Sequence, residues 1–206
     1  INTHHHGDHT AGNIIYKDIT DRIVAHENSK KNQMANAKKK ESEYKQLYPN
    51  ELFSDSWTTK VGSETITMDY FGAAHTDGDA AILFREANVI ASGDLLFRGL
   101  FPFIDLDSGG DVSGYKAGLQ PLLDLSDRKT KFISGHGPVA TRAEMQQDLN
   151  MLIDAEARVI ALIDKGLSEE EIVAANPLSL YHDDYNWSFI TTERMTRTLI
   201  RSLTTD

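Results

Sequence analysis

The chain has 206 residues, of which 21 are basic and 31 acidic, with a formal net charge of −10 at pH 7 and no cysteine. The missing cysteines exclude thiolate catalysis, disulfide bonds and cysteine zinc knuckles, and the acidic balance argues against a nucleic-acid interface spread over the surface. No run of about eighteen apolar residues occurs, so the sequence predicts no membrane span, and the length suits a single domain over residues 1–206.

Patterns in the first half of the chain predict helices and strands in alternation. The predicted elements are a short helix over 9–16, a strand over 22–25, an exposed helix over 27–44, and hairpin strands over 57–61 and 64–71. The hairpin turns at Gly62-Ser63, and period-2 alternation would place Ile66, Met68 and Tyr70 on one face. This order favours the α/β class.

The predicted helix over 27–44 is rich in lysine. Its cationic residues are Lys30, Lys31, Lys38, Lys39 and Lys40, with Lys45 just beyond. They could attract an anionic substrate or RNA, but runs of like charge usually form a solvated face, which is the interpretation we favour.

The second half begins with buried strands and ends in helices. The predicted elements are strands over 80–84 and 89–91, a helix over 114–125, a strand over 131–134, and a turn over 135–138. Thr141-x-x-Glu144 and Ser168-x-x-Glu171 have the capping-box pattern that starts a helix, and Gly166 suits a helix end. Apolar residues at helical spacing after Thr141 and over 195–203 predict core-facing helices, and 176–185 is predicted to be a surface loop.

Seven residues with metal-binding side chains occur in four short motifs along the chain. They are His4, His6, Asp8 and His9 in an HxHxDH cluster, His75 in AHTDGD, Asp94 in SGD, and His136 in GHG. Imidazole and carboxylate suit zinc and its first-row neighbours, and seven such ligands are too many for one tetrahedral ion. The sequence therefore predicts two metal ions.

The spacing of the first cluster has a geometric consequence. On an extended segment, His4, His6 and Asp8 would point to one side, and His9 would follow at the turn into a helix. We expect His75 in the loop before the first apolar strand and Asp94 in the loop after the second. Three consecutive histidines could also be a purification-tag remnant, but the following Gly7-Asp8-His9 argues against that origin.

Taken together and in this order, the four motifs resemble those of the metallo-β-lactamase-fold hydrolase superfamily, and in particular a generic bacterial branch with a similar phrase over 93–110. The resemblance covers 1–141, with a weaker similarity over 187–190 and 195–203. It implies a four-layer αββα sandwich. It also implies that His4, His6 and His75 hold one ion, that Asp8, His9 and His136 hold the second, and that Asp94 bridges both. His5 stays unassigned.

The family chemistry implied is hydrolysis by a hydroxide held between two zinc ions, with iron or manganese as alternatives, and with Asp8 as a catalytic residue that orients the nucleophile. The substrate is expected to be a small molecule with an ester, thioester, lactone or amide bond, β-lactams included. Asp94 argues against antibiotic hydrolysis, because the common lactamase subclass has cysteine there. A phosphodiesterase or nuclease, an iron redox module, and a module that only binds metal or a partner remain alternatives.

Strands precede the HxHxDH motif in this family, whereas the chain begins at Ile1 inside it. We therefore expect a short first sheet and an exposed apolar face, which a second copy or a partner chain could complete. The sequence leaves the compartment open between periplasm and cytoplasm.

Several other residues have two interpretations each. Asp77 and Asp79 either orient metal-bound histidines or cap the turn at Gly78. For the remaining residues we favour a structural role. Asp105, Asp107 and Asp111 suit a Gly109-Gly110 turn better than a calcium loop, and Arg98, Phe101 and Phe103 suit a packing loop better than a substrate pocket. His26 and His182 are interpreted as surface or core histidines and not as metal ligands.

Overall fold

The computed structural model describes residues 1–39 and 46–204. In chain order the elements are α1 (Gly7–Thr10), a 3₁₀ helix (Ala11–Tyr16), β1 (Val24–His26), α2 (Glu27–Lys39), β2 (Glu51–Phe53), β3 (Ser56–Val61), β4 (Glu64–Tyr70), β5 (Ala80–Phe84), β6 (Val89–Phe97), a 3₁₀ helix (Leu106–Ser108), α3 (Val112–Asp124), β7 (Lys131–His136), β8 (Ala140–Thr141), α4 (Arg142–Ile163), α5 (Glu169–Ala175), a 3₁₀ helix (Ser179–Tyr181), α6 (His182–Tyr185) and α7 (Thr192–Thr204). None of the helices in the described part is both long and apolar enough to cross a bilayer.

The strands form two sheets. Strands β3 to β8 lie side by side in sequence order, antiparallel except for the parallel pair β6–β7, while β1 and β2 form a separate parallel pair. Alternate residues of β5 enter different cores, because strand side chains alternate between faces. Ala81 and Leu83 pack in the core that contains residues of α3, α4 and α7, whereas Ala80 and Ile82 pack toward β1 and β2. Burial on both faces explains the unbroken apolar run of β5.

The layers are therefore helices, the six-stranded sheet, the two-stranded sheet, and α2, which packs against β1. This arrangement confirms the predicted α/β sandwich with a short first sheet. Ile15, Tyr16 and Ile19 are more than half exposed, at 73%, 55% and 77%. The expected interface with a second copy or partner chain stays a prediction.

Most of the local signals in the sequence give the expected elements. The hairpin turns at Gly62, and Ile66, Met68 and Tyr70 all pack toward the small sheet. Both capping boxes are present, with Thr141 and Ser168 each accepting a hydrogen bond from the backbone of the glutamate three residues later. The strand predicted at 22–25 lies at Val24–His26. The end of the helix predicted over 27–44 falls outside the described residues, as do Lys40 and Lys45.

Two predicted strands were too short, two strands were missed, and one predicted loop was wrong. Strand β6 continues through Asp94 to Phe97 instead of ending at 91, and β7 continues to His136 instead of ending at 134, because the two strands pair across an irregular register. Strands β2 and β8 were not predicted. The segment 176–185 is not a surface loop, since it contains two short helical turns and buries Leu178 and Tyr185.

Candidate metal centre

The HxHxDH segment is not extended as far as Asp8, contrary to the expectation from the sequence. His6 is the extended N-cap residue, with φ −62° and ψ 151°, and α1 begins at Gly7. Asp8 and His9 therefore project from a helical turn, whereas His4 and His6 precede it. Because side chains on a helix and on an extended segment follow different periods, the four residues divide into two pairs.

The first pair meets His75 and Asp94. His6 Nδ1 lies 2.8 Å from His75 Nε2, and Asp94 Oδ2 lies 3.4 Å from His75 Nε2 and 3.7 Å from His4 Nε2. One ligand atom from each of the four residues lies within 4.8 Å of all the others. His4 and His75 are fully buried, so this group forms the floor of the centre.

The second pair meets His136 at the end of β7. Asp8 Oδ2 lies 3.4 Å from His9 Nε2 and 3.3 Å from His136 Nε2, and these three residues form a second ligand group. Asp94 contacts this group as well, with Oδ1 3.1 Å from His9 Nε2 and Oδ2 3.5 Å from His136 Nε2. The buried carboxylate of Asp94 thus lies between the two groups, in contact with both.

Close backbone packing places the Asp94 side chain. Gly93, with φ +52°, is at the irregular point of β6, and Gly135 faces Asp94 from β7. A Cβ added at Gly135 would lie 1.9 Å from Asp94 Oδ1, and one at Gly93 would lie 2.6 Å from the Thr3 side chain. Glycine is required at both positions, because any larger residue would displace the carboxylate or the segment before His4.

Hydrogen bonds orient the three imidazoles of the first group. The Nδ1 atom of His75 donates to the Phe103 carbonyl oxygen at 2.6 Å, and Thr3 Oγ1 lies 3.2 Å from His4 Nδ1. His6 uses its other nitrogen, Nε2, which lies 3.0 Å from Asp105 Oδ2. Each contact leaves free the nitrogen that faces the centre, as the partners of metal-bound histidines usually do.

Asp105 is the residue of the candidate site that the sequence analysis missed, since it was interpreted as part of a glycine turn. Its backbone N–H donates to the His75 carbonyl oxygen at 2.8 Å, so the loop holds two histidines of the first group. His5, which was unassigned, is 3% exposed, and neither of its ring nitrogens has a hydrogen-bond partner among the described residues. Ligand atoms of His5, His6 and Asp105 also lie within 4.8 Å of one another.

Burial and charge set the protonation of the centre. Burial lowers the pKa of His75 to about 4 and holds the pKa of His4 well below its ordinary value. For Asp94, burial acts to raise the pKa, but the ring nitrogens of His136 and His9 outweigh it and hold the pKa far below its usual range. Contact with Asp94 raises the pKa of His136. Neutral His4 and His75 beside an ionised Asp94 are in the forms that bind metal, whereas the raised pKa of His136 favours its protonated form, which must lose a proton before it can bind.

The residues present fit a metal ion. His4 Nε2 faces the centre, is buried, and has no hydrogen-bond partner among the described residues, which is costly for a polar atom. The free ring nitrogens of His4, His6 and His75 converge with a carboxylate, and that donor set suits zinc or a neighbouring first-row metal.

The other candidate residues have structural roles. Asp79 accepts from the backbone and hydroxyl of Thr76, and Asp77 accepts from Asn32, so neither contacts a histidine of the two groups through its carboxylate. Asp111 caps α3, Asp107 pairs with Arg201, and Arg98 pairs with Asp148 and Glu144. Phe101 is buried in the core, and His26 is buried with its Nε2 bonded to the Ser54 carbonyl oxygen. His182 is exposed on α6.

A cavity of about 380 Å³ opens onto the centre. It is lined by His6, Gly7, Asp8, Asp94 and His136 on the polar side and by Phe97, Phe103, Trp187 and Phe189 on the apolar side. Phe103 therefore lines a cavity, contrary to the favoured interpretation of a packing role. The His136 ring is held parallel to Phe97, with centroids 5.0 Å apart.

The sequence of this chain matches the model of a known protein family. The family model of the metallo-beta-lactamase superfamily matches residues 1–141. A metallo-beta-lactamase from Pontibacter korlensis has a TM-score of 0.63 and 16% identity, with 74% of this chain and 67% of that chain covered. BLEG-1 B3 metallo-beta-lactamase has a TM-score of 0.60 and 22% identity, with 73% of this chain and 74% of that chain covered. DIM-1 metallo-beta-lactamase has a TM-score of 0.59 and 17% identity, with 75% of this chain and 68% of that chain covered.

At these identities the likeness to solved structures shows the fold alone. The chain spans about two thirds of the length of the Pontibacter korlensis protein. No curated protein matches the sequence.

Proposed function

Because the chain belongs to the metallo-β-lactamase superfamily, we propose that it is a zinc-dependent hydrolase with a binuclear centre. One observation carries this proposal. Seven histidine and aspartate side chains, drawn from four distant parts of the sequence, form two ligand groups that share Asp94 at the floor of a cavity. Buried charged groups are costly unless they are paired or coordinate metal, so an arrangement this dense is best explained by metal binding.

In this proposal His4, His6 and His75 would hold one ion and Asp8, His9 and His136 would hold the second, with the Asp94 carboxylate available to both. Two such ions, when bound, would polarise a carbonyl oxygen and lower the pKa of a water molecule. The cavity has the size expected for a small molecule, and we propose an ester, thioester, lactone or amide as the scissile group.

Asp8 is the carboxylate best placed to act on the reacting water. Its side chain is 57% exposed and lines the cavity, whereas Asp94 is 3% exposed beneath the histidines. A carboxylate accepts protons and hydrogen bonds, so Asp8 can orient the attacking water and receive its proton. His9 and His136, both within 3.4 Å of Asp8 Oδ2, keep that oxygen near the centre.

Metal content is the first test. We expect elemental analysis of the purified chain to find about two zinc ions, as a binuclear site requires. Asp94→Ala should lose most of both ions, and His136→Ala mainly the second. His182→Ala, which removes an exposed histidine outside the centre, is the matched control and should keep both. Unchanged zinc in Asp94→Ala would contradict the assignment, and a preparation rich in iron would point to redox chemistry.

Activity is the second test. The zinc-loaded protein should hydrolyse at least one member of a panel of 4-nitrophenyl esters, thioesters, lactones and a chromogenic β-lactam, and a chelator should abolish the rate reversibly. Bis-4-nitrophenyl phosphate belongs in the panel, because hydrolysis of that compound alone would assign the protein to the phosphodiesterases. A protein with two zinc ions and no hydrolysis of any member would contradict the proposed reaction class.

A further inference from the structure

The apolar wall of the cavity lies outside the four metal-ligand motifs. Trp187 and Phe189 lie between α6 and α7, outside the residues 1–141 that the family model matches. Their rings are 5.5 Å apart, and the Phe189 ring meets Phe103 edge to face at 5.2 Å. Trp187 is fixed by donating its Nε1–H to the Phe101 carbonyl oxygen at 2.9 Å. The wall is thus a continuous aromatic surface held in place.

Phe189 is 44% exposed, although it lines the cavity and packs on two other rings. An exposed aromatic ring beside a reaction centre gains free energy when an apolar group covers it. The wall therefore favours a substrate whose body, beyond the scissile bond, is aliphatic or aromatic.

A cation packs on two rings of this wall, although Arg194 is not itself among the residues that line the cavity. The Arg194 guanidinium carbon is 4.3 Å from the centroid of the Phe189 ring and 5.3 Å from that of Phe103. One of its N–H groups donates to the Phe189 carbonyl oxygen at 2.8 Å, which fixes the side chain. Within residues 1–39 and 46–204 no carboxylate forms an ion pair with Arg194, so its other donors are open to a ligand.

The absence of a carboxylate partner is notable because the chain is acidic and other arginines of α7 are paired. Arg197 contacts Glu169 and Glu193, and Arg201 contacts Asp107. Arg194 is the residue of this helix that touches cavity-lining rings. A guanidinium held on aromatic rings keeps its planar fork available for a carboxylate or phosphate.

We propose that the substrate is an anionic acyl compound. Its apolar body would lie on Phe103, Trp187 and Phe189, and its terminal carboxylate or phosphate would pair with Arg194. This inference rests on the proposed hydrolase function for its scissile bond, but binding to the wall and to Arg194 can be measured without turnover.

A binding experiment tests the inference directly. Trp57→Phe leaves Trp187 as the only tryptophan, so its fluorescence reports ligands on the wall. The zinc-loaded protein is titrated with 4-phenylbutyrate and with the neutral isostere 4-phenylbutyramide. We expect the carboxylate to bind more tightly by a factor of up to about five, which is what an exposed ion pair can give. Adding Arg194→Met should abolish that preference, while Arg128→Met, the loss of an exposed arginine elsewhere, should leave it intact.

Two results would overturn the inference. One is equal affinity for the two ligands in the Trp57→Phe protein. The other is an undiminished preference in Arg194→Met, which would mean that the metal centre, and not Arg194, holds the anion. Phe189→Ala should weaken both ligands by a similar factor, because it removes apolar contact and no charge.

Turnover separates this inference from the proposed function. If the chain is an esterase, kcat/KM for mono-4-nitrophenyl adipate should exceed that for 4-nitrophenyl hexanoate, and Arg194→Met should equalise them. If no member of the hydrolysis panel is cleaved but the fluorescence preference depends on Arg194, the hydrolase proposal fails while the anion subsite stands. If esters are hydrolysed with no dependence on Arg194, the subsite fails while the hydrolase stands.

Discussion

Removing the carboxylate of Asp105 should weaken the first metal position without unfolding the protein. Asp105 Oδ2 accepts from His6 Nε2 at 3.0 Å, and this contact leaves His6 Nδ1, 2.8 Å from His75 Nε2, as the nitrogen that faces the centre. In Asp105→Ala nothing fixes the tautomer, so the ring is free to carry its proton on Nδ1, where it would block coordination.

The size of the effect follows from the kind of contact. Partners that orient a metal-bound histidine typically contribute a factor of about 10 to 100 in metal affinity, or roughly 1.4 to 2.7 kcal/mol. Asp105 should fall in the upper part of that range, because a hydrogen bond to an ionised carboxylate is stronger than one to a neutral group. Burial acts to raise the pKa of Asp105, but contact with His6 outweighs it and holds the pKa below its ordinary value, so the carboxylate is ionised. Asp105→Asn keeps an acceptor oxygen and should lose less affinity than Asp105→Ala.

Competition with a chromophoric chelator measures the affinity of each ion, and the nitrogen chemical shifts of His6 report its tautomer. Asp107→Asn, two residues away and paired with Arg201 on the surface, is the matched control. The reasoning is refuted if Asp105→Ala binds both ions with unchanged affinity, or if the tautomer of His6 is the same in the variant.

Three further changes test other parts of the structure. Gly135→Ala should lose metal, because its Cβ would lie 1.9 Å from Asp94 Oδ1, whereas Gly12→Ala meets nothing within 4 Å and should keep both ions by elemental analysis. Thr141→Ala removes a capping box and should lower the free energy of unfolding in urea by about 1 kcal/mol, with zinc content unchanged. Burial raises the pKa of Asp148 to about 6, above the roughly 3.9 of an unfolded aspartate. This carboxyl therefore favours folding most at low pH, and its contribution to the free energy of unfolding is lost as the pH rises from about 4 to 6. In Asp148→Asn, the free energy of unfolding measured by urea titration should not fall over this pH interval for that reason.

The sequence could predict what depends on neighbours in the chain. Both capping boxes formed as expected because each joins residues three positions apart, such as Thr141 and Glu144. The hairpin at Gly62 formed for the same reason. The seven candidate ligands were selected by residue type and motif, and the structure brings all of them together, although their role in binding metal stays a prediction.

Contacts between distant segments could not be predicted in this way. The contact of Asp105 with His6 spans 99 positions, and in the sequence Asp105 looks like part of an acidic glycine turn. The lengths of β6 and β7 also depend on a distant partner. Ser92-Gly93-Asp94 has loop composition, yet the pairing of Gly93 with Ser134 and of Phe97 with His136 extends both strands through it. The same is true of Arg194, whose lack of an acidic partner among the described residues is visible only in three dimensions.

The change of backbone conformation between His6 and Asp8 matters for the chemistry. On a continuous strand, His4, His6 and Asp8 would share one face, and His9 would point to the opposite one. Such a segment would give three ligands to one ion and none from His9 to a second. Because α1 begins at Gly7, Asp8 and His9 are about 100° apart on a helical turn, so that Asp8 reaches His136 while His9 reaches Asp94. The two ligand groups therefore depend on this change of backbone conformation, as well as on the identity of the residues in the motif.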